Sequence, residues 1–225
     1  MKVLYITRKF PPSIGGMQTQ SYFFHKALSR KSDVLLISWG SSQLFLPFFI
    51  IYAAIKSIIQ LTSRKIDIIQ LGDLVLSPLG VLLKLLFNKP VLAVSHGRDS
   101  AYRGLLYNFF IIGSAKKLNK IICVSDYLKQ RLRLRGLCNE KLEVIPNGIS
   151  VNEADELSLD REQAISEIEA AYGITLKDKK IILSVSRLVA KKGIKGFIDR
   201  IFVKIISAVE NAVFLVVGDG PEKLR

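Results

Sequence analysis

Ser186-Arg187-Leu188-Val189-Ala190-Lys191-Lys192-Gly193 and Val217-Gly218-Asp219-Gly220-Pro221-Glu222 are the segments on which the fold turns. Each follows a short β-branched run, residues 181–186 and 213–217. The first leads into an apolar stripe at helical spacing: Ile194, Phe197, Ile198, Ile201, Phe202, Ile205, Ile206 and Val209. Strand, cationic loop, helix, strand and glycine-rich loop read as the opening of a second nucleotide-binding lobe. Arg225 ends the sequence before that lobe closes. A parallel pair so small is expected to leave sheet edges and a broad apolar face uncovered.

Working outward, Asp160 and Gln163 read as a capping box that opens a helix to about Tyr172. Residues 150–160 are polar and acidic, a linker. Before them, apolar runs at 2–7, 33–38, 66–71, 91–95, 120–124 and 142–146 alternate with helical stretches near 17–30, 44–62, 75–87, 102–117 and 126–135. Runs such as Lys120-Ile121-Ile122-Cys123-Val124 do not alternate in polarity, so both faces of the sheet are covered. The expectation is an α/β protein: a complete Rossmann-like domain over 1–150, then a linker and an incomplete second domain over 151–225.

The chain has 225 residues and a formal net charge of +14. All of the surplus lies in residues 1–150, which hold 21 Lys/Arg against 7 Asp/Glu; residues 151–225 hold 12 of each. Such a surface points to an anionic partner, foremost an anionic membrane, because apolar helices lie among the same charges. An inert solvated surface is the other reading. No nucleic-acid motif is present, so nucleic acid is not an expected partner. Leu44–Leu61 is apolar at 14 of 18 positions. Pro47 interrupts it early, while Lys56, Ser57 and Gln60 make its last turns amphipathic. Core helix, membrane-surface helix and membrane span all remain open. Cys123 and Cys138, with no metal-ligand spacing around them, read as reduced thiols of a cytoplasmic protein, and the basic apolar surface adds the expectation of a peripheral place on the inner membrane face.

Ligands of open α/β sheets bind beyond the carboxyl ends of the strands, so the first loop of each lobe should line any cleft. In the first, Pro11-Pro12-Ser13-Ile14-Gly15-Gly16 runs into a helix. Gly15 and Gly16 would let the backbone approach an anion, or they form a plain tight turn. In the second, Arg187 and Lys192 could neutralise a diphosphate without a metal, or be solvated charges like Lys191 and Lys195. His96, ending a strand in Val94-Ser95-His96-Gly97-Arg98-Asp99, is placed to act on a ligand, with Asp99 as an orienting partner. His25 reads as structural. Hydrolase and metalloenzyme constellations are absent from the sequence.

These segments together resemble the family-4 retaining glycosyltransferases of the GT-B architecture. The matching pieces come in order: Gly15-Gly16, Asp67-Ile68-Ile69, His96-Gly97, Val124-Ser125-Asp126, Ile145-Pro146-Asn147-Gly148, Ser186-Arg187-Leu188 with Lys192-Gly193, and Val217-Gly218-Asp219-Gly220-Pro221. The resemblance implies a nucleotide-sugar donor with its diphosphate on Gly16, Arg187 and Lys192. It implies His96 near the transferred sugar, a glycan or lipid-linked acceptor on the first lobe, and neither cofactor nor metal. The setting it implies is synthesis of surface polysaccharide or glycolipid. The family's second lobe continues through a Glu-x7-Glu element that nothing after Gly220 supplies. Little or no transferase activity is therefore expected from this chain alone. It would be a truncated product or one part of a split enzyme with a partner chain. The alternative is a non-catalytic lobe that docks on membrane or on such a partner.

Overall fold

The computed structural model describes residues 1–40, 45–97, 104–148 and 160–223. It divides into two compact units, Met1–Ile149 and Ser150–Arg225. The stretch read as a linker lies, except for Asp160, outside the described residues.

In the first unit, strands β1 (Lys2–Thr7), β2 (Asp33–Ser38), β3 (Ile68–Leu71), β4 (Val91–Ser95), β5 (Lys120–Cys123) and β6 (Leu142–Val144) form one parallel sheet. Its order is β2-β1-β3-β4-β5-β6. The chain therefore steps one way from β1 to β2 and the other way from β3 onward. Right-handed crossovers put helix α1 (Gly16–Ser29) on one face. They put α2 (Leu46–Ser63), α3 (Ser77–Phe87), α4 (Leu105–Ala115) and α5 (Asp126–Arg133) on the other.

The pleat of β1 shows both coverings. Leu4 and Ile6 enter the main core with Ile69, Leu71, Leu83, Leu118 and Ile121. On the other side, Tyr5 meets the Phe24 ring edge-on at 5.3 Å, and the Thr7 hydroxyl lies 3.4 Å from that of Ser21. His25 stacks near Tyr5 and meets Phe10 edge-on, a structural place. Cys123 is buried in β5, and burial pushes its thiol up to about 11, whereas Cys138 is exposed.

Helix α2 corrects the reading of Pro47. Pro47 opens the helix instead of interrupting it, because the first turn has no need of that amide hydrogen. Phe49, Ala53, Ser57 and Leu61, four residues apart, form one buried stripe. The rest of the helix is exposed apolar surface, including Phe48, Ile51, Tyr52, Ile55 and Ile59.

The second unit holds helix α6 (Arg161–Tyr172), strands β7 (Lys180–Val185) and β8 (Ala212–Val217), which pair in parallel, and helix α7 over residues 194–208. Two expectations need correction. Asp160 precedes α6 but caps nothing with its side chain, and the Gln163 amide donates instead to Glu167 Oε1 at 3.2 Å. The α-helical stripe of α7 is broken by a π-turn at Ile198–Phe202. Residues five apart, Phe197 and Phe202, thereby reach Phe214 of β8 at 4.7 and 5.6 Å, while Ile198, Ile201 and Ile206 stay exposed. Leu176 and Leu188 are the buried apolar side chains among the described residues of this unit. Leu183, Val185 and Val217 on its sheet are exposed.

Candidate functional site

Where strand order reverses, neighbouring loops leave the sheet in opposite directions and open a crevice at its carboxyl edge. Here that point lies between β1 and β3. Arg8 follows β1 and Asp73 follows β3 by two residues, and they form an ion pair with Nε 2.7 Å from Oδ2. The carboxylate is 0% exposed and the guanidinium side chain 10%. Asp73 Oδ1 also accepts the Val75 N–H at 2.9 Å, which caps the turn into α3. Gly72 continues the ladder by donating its N–H to the Ile6 carbonyl at 2.8 Å. It passes so close to β1 that a Cβ there would stand 2.5 Å from Thr7 Oγ1.

His96, beyond the adjacent strand β4, joins this cluster. Its Nε2 lies 3.1 Å from the Gly72 carbonyl oxygen, and the residue is 6% exposed. A carbonyl only accepts, so Nε2 carries the proton. Burial holds the imidazole below its ordinary range. The Gly72 hydrogen bond and the Asp73 charge pull upward, while the Arg8 charge adds to the lowering. A neutral ring with its proton on Nε2 is an acceptor at Nδ1, a state suited to holding a hydroxyl. Asp99, expected to orient this ring, lies outside the described residues.

The Gly15-Gly16 turn is braced from within. Ser13 Oγ donates to the Phe10 carbonyl at 2.9 Å, Gln18 Nε2 donates to Ser13 Oγ at 3.2 Å, and Thr19 N–H bonds the Gly15 carbonyl at 3.0 Å. Helix α1 has neither a side-chain cap nor an acidic residue in its first turn. A Cβ on Gly16 would meet nothing within 4 Å. The chain itself therefore does not require glycine at that position.

In the second unit, the loops after β7 and β8 are joined by main-chain bonds. Ser186 N–H reaches the Val217 carbonyl at 2.9 Å, and Leu188 N–H the Asp219 carbonyl at 2.9 Å. Arg187 lies between these rungs with its side chain exposed. A Cβ on Gly218 would run into the Ser186 carbonyl oxygen, and one on Gly220 into that of Leu188. The glycines are what allow the loops to run flush. Lys192 ends a short turn, Ala190–Lys192, closed by Gly193 at φ 72°. Lys195 pairs with Asp199 at 3.3 Å, whereas Arg187, Lys191 and Lys192 have no ion-pair partner among the described residues. Arg187 and Lys192 thus share one loop, as expected, without a bond between them.

Sequence reasoning missed Arg8 and Asp73. The available signal was a charged residue just after each of two apolar runs. That β1 and β3 are neighbours is set by strand order, which composition does not reveal. Among the described residues, no group of three His, Cys, Asp or Glu could hold a metal ion.

The model of Glycosyltransferase Family 4 matches residues 14–153. The GPI3 subunit of phosphatidylinositol N-acetylglucosaminyltransferase from Saccharomyces cerevisiae (strain YJM789) is 31% identical over 106 residues, covering 47% of this chain and 22% of the relative. Among solved structures, Anabaena HepE in complex with UDP-glucose superposes with a TM-score of 0.66 at 16% identity, over 97% of this chain and 61% of that one. Sucrose-phosphate synthase from Thermosynechococcus elongatus gives 0.66 at 14% identity, over 100% and 63%. The apo lipopolysaccharide outer core galactosyltransferase WaaB gives 0.62 at 14% identity, over 99% and 62%. At these identities the likeness is one of fold, and the chain spans less than two thirds of each protein.

Proposed function

The chain belongs to glycosyltransferase family 4, and from that premise we propose that it binds a nucleotide-sugar donor for retaining transfer to a glycan or lipid-linked acceptor. The observation that carries the reading is Arg187, exposed between two main-chain rungs at a strand's carboxyl end, on one loop with Lys192. Two cations on a rigid loop can neutralise a diphosphate and the charge that develops on a leaving nucleotide. The neutralising role is therefore assigned to side chains, with neither metal nor cofactor. His96 is given the transferred sugar, and Gly16 backbone approach to a donor phosphate. HepE was solved with UDP-glucose, which supports a nucleotide sugar as ligand and makes that compound the probe of choice.

Calorimetric titration of the chain with UDP-glucose, and with a panel of other UDP- and GDP-sugars, tests this. Arg187→Ala and Lys192→Ala are each expected to weaken donor binding by at least about tenfold, the loss of one charge-assisted hydrogen bond. Gly16→Ala has room for its methyl group, so weakened binding in a variant of unchanged stability would report contact with the ligand. Donor affinity unchanged in both cation variants rejects the assignment.

The second part of the reading is a membrane surface as partner. Helices α2, α3 and α4 pack side by side. Together they expose Phe48, Ile51, Tyr52, Ile55, Leu82, Leu85, Leu86, Leu105, Leu106, Phe109 and Phe110. Lys56, Lys84, Lys116 and Lys117 lie on or beside the same helices. An apolar belt edged by lysines fits an anionic bilayer better than a neutral one. Co-sedimentation is expected with vesicles containing phosphatidylserine and not with pure phosphatidylcholine. It should weaken as salt shortens the screening length from about 10 Å at 0.1 M to about 3 Å at 1 M. Salt-insensitive binding counts against it. The yeast relative is named as a subunit, which supports a partner chain as well.

A further inference from the structure

Three successive neighbours in the sheet each send one polar residue to the same place: Arg8 from β1, Asp73 from β3 and His96 from β4. The link between them is the Gly72–Asp73 peptide. Its carbonyl accepts from His96 Nε2, and the residue that follows anchors the turn twice, through Oδ2 on Arg8 and Oδ1 on the Val75 amide. The Gly72 amide is fixed to Ile6, and the Gly72 Cα lies flush against Thr7. The carbonyl thus points at the imidazole because the chain on either side of it is tied down. A buried ion pair whose carboxylate also accepts a backbone hydrogen bond has the geometry of a rigid anchor.

We propose that Asp73, with Arg8, is a positioning residue for His96: the ion pair at the reversal point fixes the Gly72 carbonyl, which holds the imidazole in the single tautomer protonated on Nε2. The inference rests on the reading of His96 as a ligand-facing residue, but its test does not depend on that reading. A ring so held accepts at Nδ1 and, while neutral, has no second proton to give. His96 would then orient a sugar hydroxyl and would not serve as a general acid. Among the described residues, the charged groups acting on the ring are Asp73, which favours its protonated form, and Arg8, which opposes it.

The chain has two histidines, so nitrogen-15 NMR of the imidazoles reads His96 with His25 as internal reference. In the wild type, the Nε2–H tautomer of His96 should outnumber the other by about tenfold, the ratio one ordinary hydrogen bond supports. Asp73→Ala, which removes both anchors, should bring that ratio toward the free-imidazole value. Asp73→Asn keeps an acceptor for Val75 but loses the charge, so the tautomer should persist while the His96 titration moves to lower pH. Arg8→Gln with Asp73→Asn removes both charges and should move it back. His25 should not respond in any of them. If Asp73→Ala does not fold, the asparagine and double variants decide. A wild-type ring protonated on Nδ1, or a His96 titration unmoved in Asp73→Asn, overturns the proposal. Should UDP-glucose fail to bind while His96 responds as described, the donor reading falls and the positioning role stands.

Discussion

Asp73→Ala is expected to cost the first unit about 3–5 kcal/mol of stability, because it removes the buried carboxylate with which the Arg8 guanidinium pairs. Loss of the Val75 cap adds to this. Arg8→Ala should cost a similar amount for the mirror reason, since it leaves the Asp73 carboxylate buried and alone. Replacing both by apolar residues of similar volume, Arg8→Met with Asp73→Leu, should cost far less than the two single changes together. An apolar pair owes no desolvation penalty, whereas either charge alone does. Urea unfolding of the four proteins closes the cycle. A small and additive loss in the singles would show the pair to be solvated, and the rigid anchor with it would be lost.

Gly218→Ala is expected to destabilise the second unit by about 2–5 kcal/mol, combining an overpacked contact with a strained backbone. The methyl would run into the carbonyl oxygen of Ser186, whose N–H is held by the Val217 carbonyl, and φ at this residue is 156°. Relief requires the loops to part, so the Ser186 and Leu188 amides lose their acceptors. Hydrogen exchange at those two amides should accelerate by at least about tenfold, while amides of the first unit stay unchanged. Exchange at Ser186 as slow as in the wild type would mean that the loops are not zipped in the way described. Because Arg187 lies between the rungs, the same substitution should weaken donor binding without touching a charged group.

Most of the fold could be read from apolar runs. Every expected strand is present, with ends within two residues, because strands buried on both faces advertise themselves as unbroken β-branched stretches. The departures are local. Asp160 and Gln163 have the right spacing for a capping box, but spacing does not decide which amide a side chain chooses when Glu167 stands one turn on. The π-turn in α7 shifts the inward face by a residue, and its cause is packing of Phe197 and Phe202 on Phe214, a contact absent from any local pattern. At the candidate site, His96 was visible because it follows β4 directly, and Arg187 and Lys192 because they lie in the cationic loop between β7 and α7. Arg8 and Asp73 were not. Their partnership depends on a reversal in strand order, and the 64 residues of intervening chain carry no mark of it.

The glycines after β8 carry one more lesson, about information. At positions 218 and 220 the alphabet shrinks to one letter because main chain presses on main chain, and no substrate takes part in that demand. The Gly-Asp-Gly run therefore certifies the architecture of the loops and is silent about chemistry. Any attempt to tell one sugar preference from another by inspecting it will find no signal, and discrimination must be sought in side chains free to vary.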